Sequence, residues 1–331
     1  MSRADTIFDK NIRQILKSGY DTQGEKVRPH WKEDGALAYT VKDFCIVNRY
    51  NLVEEFPIHT QRYINFKAAV DELLWIWQKR SNNVNDLNSH IWDDWADENG
   101  SIGKAYGHQF NKLDRYKGVT DAKLLEAFGG RYVIKRANRE CGMGHISKIC
   151  RREDNERLIV AVCIDGEWWM NQVDKVMYDL KLTPMNRRIL TNIYCFADLS
   201  DMGLHPCAYS MTFNVTGNQK DGYKLNAILN QRSQDMLVAN GWNVCQYAVL
   251  VHLIARATGL QVGEFVHVIA DAHIYDRHIP IVKKVIKNEK FPAPKLVIDE
   301  GVTDFYDFTT ENVRLEDYQY AEKIKGIPVA V

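Results

Sequence analysis

The sequence predicts a single α/β domain, and three observations predict it. Residues 65–78 (NFKAAVDELLWIWQ) put Phe66, Ala69, Val70, Leu73, Leu74 and Trp77 on one wide apolar helical stripe. Residues 36–56 alternate apolar and polar around Val41, Phe44, Ile46 and Val47, the period of strands joined by short turns. The 331 residues are 45% hydrophobic and 26% charged, ordinary for a soluble globular protein, and one α/β domain commonly reaches this length.

In chain order, residues 5–18 place Ile7, Ile12, Ile15 and Leu16 near helical spacing, with Gly19 as a stop. Asn65 is suited to cap the helix over 65–78. Glu72 lies among apolar neighbours there, and pattern alone reads it as a carboxylate reaching solvent from the helix edge. Residues 90–110 mix aromatics, acids and glycines, which suits a binding loop or a surface turn better than a regular element.

Residues 111–171 read as a small inserted subdomain within the 1–331 unit. Segments 131–139 and 151–157 are basic or highly charged, and 158–163 with 167–170 form a hairpin around Asp165-Gly166. Cys141, His145, Cys150 and Cys163 raise the question of zinc, but their spacings fit no familiar knuckle or finger, so no metal is expected. Residues 172–182 return to helical periodicity. Arg187 and Arg188 then precede an apolar strand at 189–194; such a pair is usually solvated, and otherwise makes a phosphate clamp. Residues 243–258 form an apolar core helix, and 264–269 a strand running on to Tyr275. The last 60 residues read as short strands around a Pro-Ala-Pro segment, ending in a tail, 327–331, expected to be loose.

Acidic and basic residues balance at 43 each, so no global field attracts nucleic acid or an anionic membrane. Any anionic ligand must be held by local arginines. The N-terminus carries no apolar leader and no run approaches about 18 apolar residues, so neither secretion nor membrane insertion is expected. The seven scattered cysteines suggest free thiols, and the location expected is cytoplasmic.

The chemistry concentrates in residues 204–247. Pro206-Cys207 opens two strand-like runs separated by a Gly/Asn/Asp-rich turn; Arg232, Ser233, Asp235 and Asn243 follow. Cys207 is either a buried structural thiol or a nucleophile whose thiolate Arg232 would favour. Asn243 has the acceptor and donors to pair with an amide-like edge such as uracil N3–H and O4. Asp235 and Glu72 would supply proton shuttling.

At these residues the chain resembles the folate-dependent thymidylate synthases, particularly the longer bacterial and phage-type members, over nearly its whole length except 111–171. The resemblance runs through Glu72-Leu73-Leu74-Trp75, the stretch 91–100, Tyr106-Gly107, Arg187-Arg188, Pro206-Cys207, Gln231-Arg232-Ser233, Asp235, Asn243, the segment 263–275 and the Pro-Val-Ala-Val tail. It implies a large twisted mixed sheet that serves as a dimer interface, with helices on its other face. It implies that Cys207 adds to C6 of dUMP, making C5 nucleophilic toward 5,10-methylenetetrahydrofolate. Arg28, Arg232 and Ser233 look like phosphate ligands. Arg187 and Arg188 look like phosphate ligands donated by the other subunit of an obligate homodimer. Asn243 looks like the uracil reader, and His273 and Tyr275 like partners of the deoxyribose hydroxyl. Glu72 looks like the organiser of proton transfers, Tyr106 like a helper in removing the C5 proton, and Asp235 like a pterin ligand. Ile91, Trp92, Trp95, Ala239, Trp242 and Ala330 look like folate-side residues, with Val331 closing the pocket.

Three departures stand out. Ala208 replaces a frequent His. Ala239-Asn240-Gly241-Trp242 replaces the usual Gly-x-Pro-Phe. Thr60-Gln61-Arg62 and Asn65 replace the common Thr-Thr-Lys and a frequent His. The altered folate-side loops keep a pyrimidine nucleotide hydroxymethylase, in which water traps the methylene, as the alternative to reductive methylation. A catalytically idle nucleotide- or RNA-binding protein is a further alternative, motivated by the basic 111–171 segment.

Overall fold

The structure, a computed structural model, describes residues 1–136, 146–151 and 158–331. Helix α1 (Arg3–Ser18) begins where the Ser2 side chain accepts from the Ala4 N–H, and it ends at Gly19, as expected. A short strand β1 (Tyr20–Asp21) leads to β2 (Thr40–Asn51). The alternation over 36–56 had suggested several strands, yet this is one twelve-residue strand; Cys45 adopts a left-handed φ of 60°, which interrupts the pattern without breaking the register. Helix α2 (Phe66–Leu74) starts at Asn65, whose side chain accepts from the Ala68 N–H, and continues as a wider π-turn through Trp75–Lys79. A short helix α3 (Gly107–Asn111) follows the 90–106 loop.

The next segment builds its own layer: β3 (Asp114–Arg115), α4 (Asp121–Phe128), β4 (Tyr132–Arg136), β5 (Ile146–Arg151), β6 (Ile159–Ile164) and β7 (Glu167–Met170). Asp165 and Gly166 both take positive φ at the β6–β7 turn, the conformation that matches strand twist in a two-residue hairpin. Cys141 and His145 of the zinc question lie outside the described residues. Among the described residues no group of three or more His, Cys, Asp or Glu could hold a metal.

Helix α5 (Gln172–Leu182) and strands β8 (Leu190–Asn192), β9 (Ala208–Asn218) and β10 (Gly222–Gln231) come next, then β11 (Gln234–Asp235), α6 (Asn240–Thr258) and β12 (Gln261–Tyr275). The C-terminal part holds a helix that the expected run of short strands left out: α7 (Ile279–Val285), with proline in its first turn, where the missing N–H costs nothing. A hairpin of β13 (Lys295–Ile298) and β14 (Val313–Glu316) completes the elements.

Among the described residues three sheets form. The largest is mixed, in the order β1-β2-β12-β10-β9-β8, with β11 added beside β12. Strands β10 and β12 run parallel, which needs a crossover, and α6 supplies it. The second sheet is antiparallel, β3-β7-β6-β5-β4, and the third is β13-β14. Helix α6 is apolar nearly all round and lies between the large sheet on one side and α2 and α5 on the other. The strand faces toward it carry Tyr50, Met211, Phe213, Leu225, Leu229 and Phe265, all buried. The opposite sheet face is left open, with Val47 52% and Ile228 39% exposed.

The second sheet is tied to the rest by charge. Arg131 and Arg151 pair with Asp307, and the Tyr132 hydroxyl donates to Asp304 at 3.0 Å. Nearby, buried Asp174 accepts from the Tyr306 hydroxyl at 2.6 Å beside Arg80, and burial pushes its pKa up to about 6. No helix among the described residues is long and apolar enough to cross a membrane.

Because α6 is the common floor of sheet and helices, truncating it in the middle leaves a void that little can fill. Leu250→Ala, at a fully buried position, is expected to cost about 2–5 kcal/mol, read as a lowered urea midpoint at unchanged slope.

Candidate active site

Cys207 sits half-buried at the mouth of β9. Its N–H donates to the Tyr106 hydroxyl at 3.2 Å, and its carbonyl accepts from the Arg232 N–H at 2.9 Å. The Arg232 guanidinium is fixed by the carbonyls of Pro206 (3.0 Å) and His205 (2.6 Å). Burial pushes the thiol pKa up, while Arg232 and Arg28 pull the other way. The charge of exposed Arg28, although far off in sequence, acts on both Cys207 and Tyr275. Tyr106 is held in a strained turn, φ 41°. The next residue must be glycine, because a Cβ at 107 would collide with the Ser81 carbonyl.

Glu72 does not reach solvent, which corrects the helix-edge reading. It is buried, and three N–H groups converge on it: Trp92 Nε1 on Oε1, and Trp242 Nε1 and Gln246 Nε2 on Oε2, each at 2.6 Å. Burial raises its pKa; the three donors oppose that rise. The Trp92 ring also packs on Tyr106 (4.9 Å), Trp95 (5.6 Å) and Trp75 (6.0 Å), so an aromatic wall runs from Glu72 toward Cys207. Half-buried Trp95 and exposed Ile91 end that wall at the surface.

Asn243 joins this assembly through amides. Its Oδ1 accepts from Gln231 Nε2 at 3.2 Å, and its Nδ2 faces Gln246 Oε1 at 3.5 Å. Gln231 Oε1 lies 2.7 Å from Nε2 of His267, which burial keeps neutral at an ordinary pH. Positions 242, 243 and 246 share the first turns of α6, where residues three or four apart are neighbours. The residues that sequence reading missed are Gln246 and His267; the i, i+3 and i, i+4 spacing from Asn243 and Trp242 was the available signal for Gln246, and His267 had none.

Asp235 pairs in register with His273 of β12. Its Oδ1 accepts from the Leu237 and Val238 N–H groups at 2.8 and 3.0 Å. Burial alone would raise its pKa, but nearby His278 holds it below the usual carboxylate value. His278 Nε2 donates to the Pro328 carbonyl at 2.8 Å while its Nδ1 lies 3.6 Å from Asp235. The tail is thus not loose. Val331 exchanges both backbone hydrogen bonds with His30, Ala330 bridges Trp31, and Trp31 packs on Tyr275 at 5.6 Å.

His273 Nδ1 meets Asp271 at 2.8 Å, and the His273 ring lies 5.0 Å from Tyr275, whose pKa burial pushes up to about 12. Ser233 stands half-buried beside Arg232, its carbonyl accepting from Gln231. Ala239 opens α6. Arg187 and Arg188 are not brought to this site. They lie exposed on the turn before β8, and among the described residues their guanidinium groups make no hydrogen bond or ion pair within the chain. The two altered loops touch: Arg62 donates to the Leu237 and Val238 carbonyls, and a Cβ at Gly241 would stand 2.8 Å from both His59 and Ile64.

Comparisons with known proteins give the chain's relatives. A family profile described as thymidylate synthase matches residues 6–331. The thymidylate synthase of Bacillus mojavensis is 34% identical over 327 residues, covering 98% of each chain. That of Bacillus phage phi3T is 33% identical over the same share, so the 111–171 segment falls within the matched length and is no addition peculiar to this chain. The solved structure of thermostable thymidylate synthase A from Bacillus subtilis superposes with a TM-score of 0.78 at 34% identity, covering 99% of both chains. The mixed sheet, the site geometry and the full-length match lead to one conclusion: this chain belongs to the thymidylate synthase family.

Proposed function

We propose that this chain performs the reductive methylation of dUMP to dTMP, with 5,10-methylenetetrahydrofolate supplying both the carbon and the hydride and leaving as dihydrofolate. The observation that carries this reading is the junction of a cation-flanked thiol, an amide reader and a buried carboxylate along one wall. The Cys207 thiolate adds to uracil C6, forming an S–C bond and pushing electron density through C5 to O4. Asn243, steadied by Gln231, accepts from N3–H and donates to O4, which selects uracil over cytosine. Arg28, Arg232 and Ser233 hold the phosphate, and His273 with Tyr275 the deoxyribose hydroxyl. Glu72 handles protons at the base and Tyr106 assists loss of the C5 proton. When C5 re-forms its double bond to C6, the Cys207 sulfur leaves.

The residues on the other side fit a reduced folate. Ile91, Trp92 and Trp95 offer an apolar wall, Trp242 and Ala239 flank it, and Asp235 keeps a carboxylate edge for a pterin N–H. Ala330 and Val331, fixed to His30 and Trp31, support a closed pocket in which water is excluded, as hydride transfer requires. The thymidylate synthase relatives speak against the hydroxymethylase alternative. No metal takes part. The open sheet face, with Val47 and Ile228 exposed, suits a homodimer interface, and the unengaged Arg187 and Arg188 suit donation into the partner's phosphate site. Residues 111–171 act as a small inserted subdomain of the single 1–331 unit, and a cytoplasmic location fits the substrates.

The reading is tested by incubating the protein with dUMP and methylenetetrahydrofolate while following dihydrofolate absorbance and product mass. Stoichiometric dihydrofolate with a methyl gain is expected; a hydroxymethyl product without dihydrofolate would sink the assignment. Cys207→Ala is expected to lower turnover roughly 10⁴-fold or more while calorimetry still detects dUMP binding. Shared sites are tested by mixing two inactive variants, Cys207→Ala and the double variant Arg187→Ala/Arg188→Ala. Random hybrids should restore roughly a quarter of the wild-type sites, because each hybrid dimer assembles one intact site. No recovery after verified subunit exchange would refute donation across the interface.

A further inference from the structure

We propose that Trp242 is a positioning residue for Glu72: its indole N–H and that of Trp92 grip opposite oxygens of the carboxylate and keep it ionised and aimed into the site. This rests on the role of Glu72 proposed above and adds a device that the usual phenylalanine of the family pattern at this position could not provide. A phenyl ring has no donor. The indole of Trp242 donates to Oε2 at 2.6 Å, where Gln246 also donates, while Trp92 serves Oε1. Helical spacing makes this possible, since positions 242 and 246 are four apart on α6 and point to the same spot.

The need for a third donor is physical. Glu72 is 6% exposed, and burial favours its neutral form. Among the described residues, the titratable groups that couple most strongly to it are Asp71 on its own helix, Tyr106 from the adjoining loop, and Cys245 and Tyr247 on α6. All are acids, so none offers a positive charge. Neutral N–H dipoles must hold the carboxylate. Trp242 is half-buried, whereas Trp92 is buried.

The test is the pH dependence of kcat/KM for Trp242→Phe, which keeps an aromatic ring and removes the donor. Losing a donor to the ionised form raises the Glu72 pKa, so the acid limb of the profile should move up by about one pH unit. An acid limb left in place, whatever happens to the rate, would overturn the proposal, because a packing role alone does not move it. A second readout needs no turnover. In protein carrying ¹⁵N-labelled indoles, the Trp242 and Trp92 Nε1–H resonances should titrate together, and Glu72→Gln should abolish that titration. Independent or absent titration would overturn the proposal. Should the wild type make no dTMP, the methylation reading fails and the indole titration alone decides this inference.

Discussion

Much of this structure follows from one buried carboxylate. An uncompensated charge at the Glu72 position would cost several kcal/mol, so the chain must bring N–H groups to it. They come from the loop after α2 and from the first two turns of α6. Satisfying Glu72 therefore fixes how α6 enters the core. The same turns carry Asn243, and Gln246 touches both side chains. The group that reads the base and the group that handles protons are set by one helix start, with His267 and Gln231 bracing the arrangement from the large sheet.

Local periodicity made much of the fold legible. Helices α1, α2, α5 and α6, the β6–β7 hairpin and the β9–β10 pair all repeat a pattern visible in short windows. What escaped was decided by distant partners. Strand β2 is continuous because β12 pairs with it through its whole length, from Asn51 opposite Glu264 to Thr40 opposite Tyr275. The tail is held by His30 and Trp31, some 300 residues earlier in the chain. Within the site, residue types could be named from the sequence, but the burial of Glu72 could not. A carboxylate in an apolar stripe looks the same whether it escapes to water or meets three donors. His267 was invisible for a similar reason: it belongs to a strand whose alternation reads as packing.

The second sheet shows how a charged segment is accommodated. A basic stretch near residue 131 invites thoughts of an anionic polymer. Two of its neighbourhood's arginines, Arg131 and Arg151, instead face Asp304 and Asp307 and hold that sheet to the C-terminal part. Beside them, buried Asp174 and half-buried Tyr306 continue the polar seam into the core. These contacts join segments more than 130 residues apart, the kind of pairing that charge composition alone does not reveal.

The contact between the 57–65 and 237–242 loops couples substitutions on its two sides. Both depart from the family pattern, and they touch: Arg62 holds the Leu237 and Val238 carbonyls, while Gly241 leaves no room for a side chain beside His59 and Ile64. Restoring the common proline at 241 alone would drive its ring into those two residues. Restoring lysine at 62 alone would give up a planar, multi-donor group on two carbonyls. Neither step back is neutral by itself. A substitution in either loop is therefore felt by the other, through the Arg62 guanidinium on one side and the closely packed Gly241 on the other.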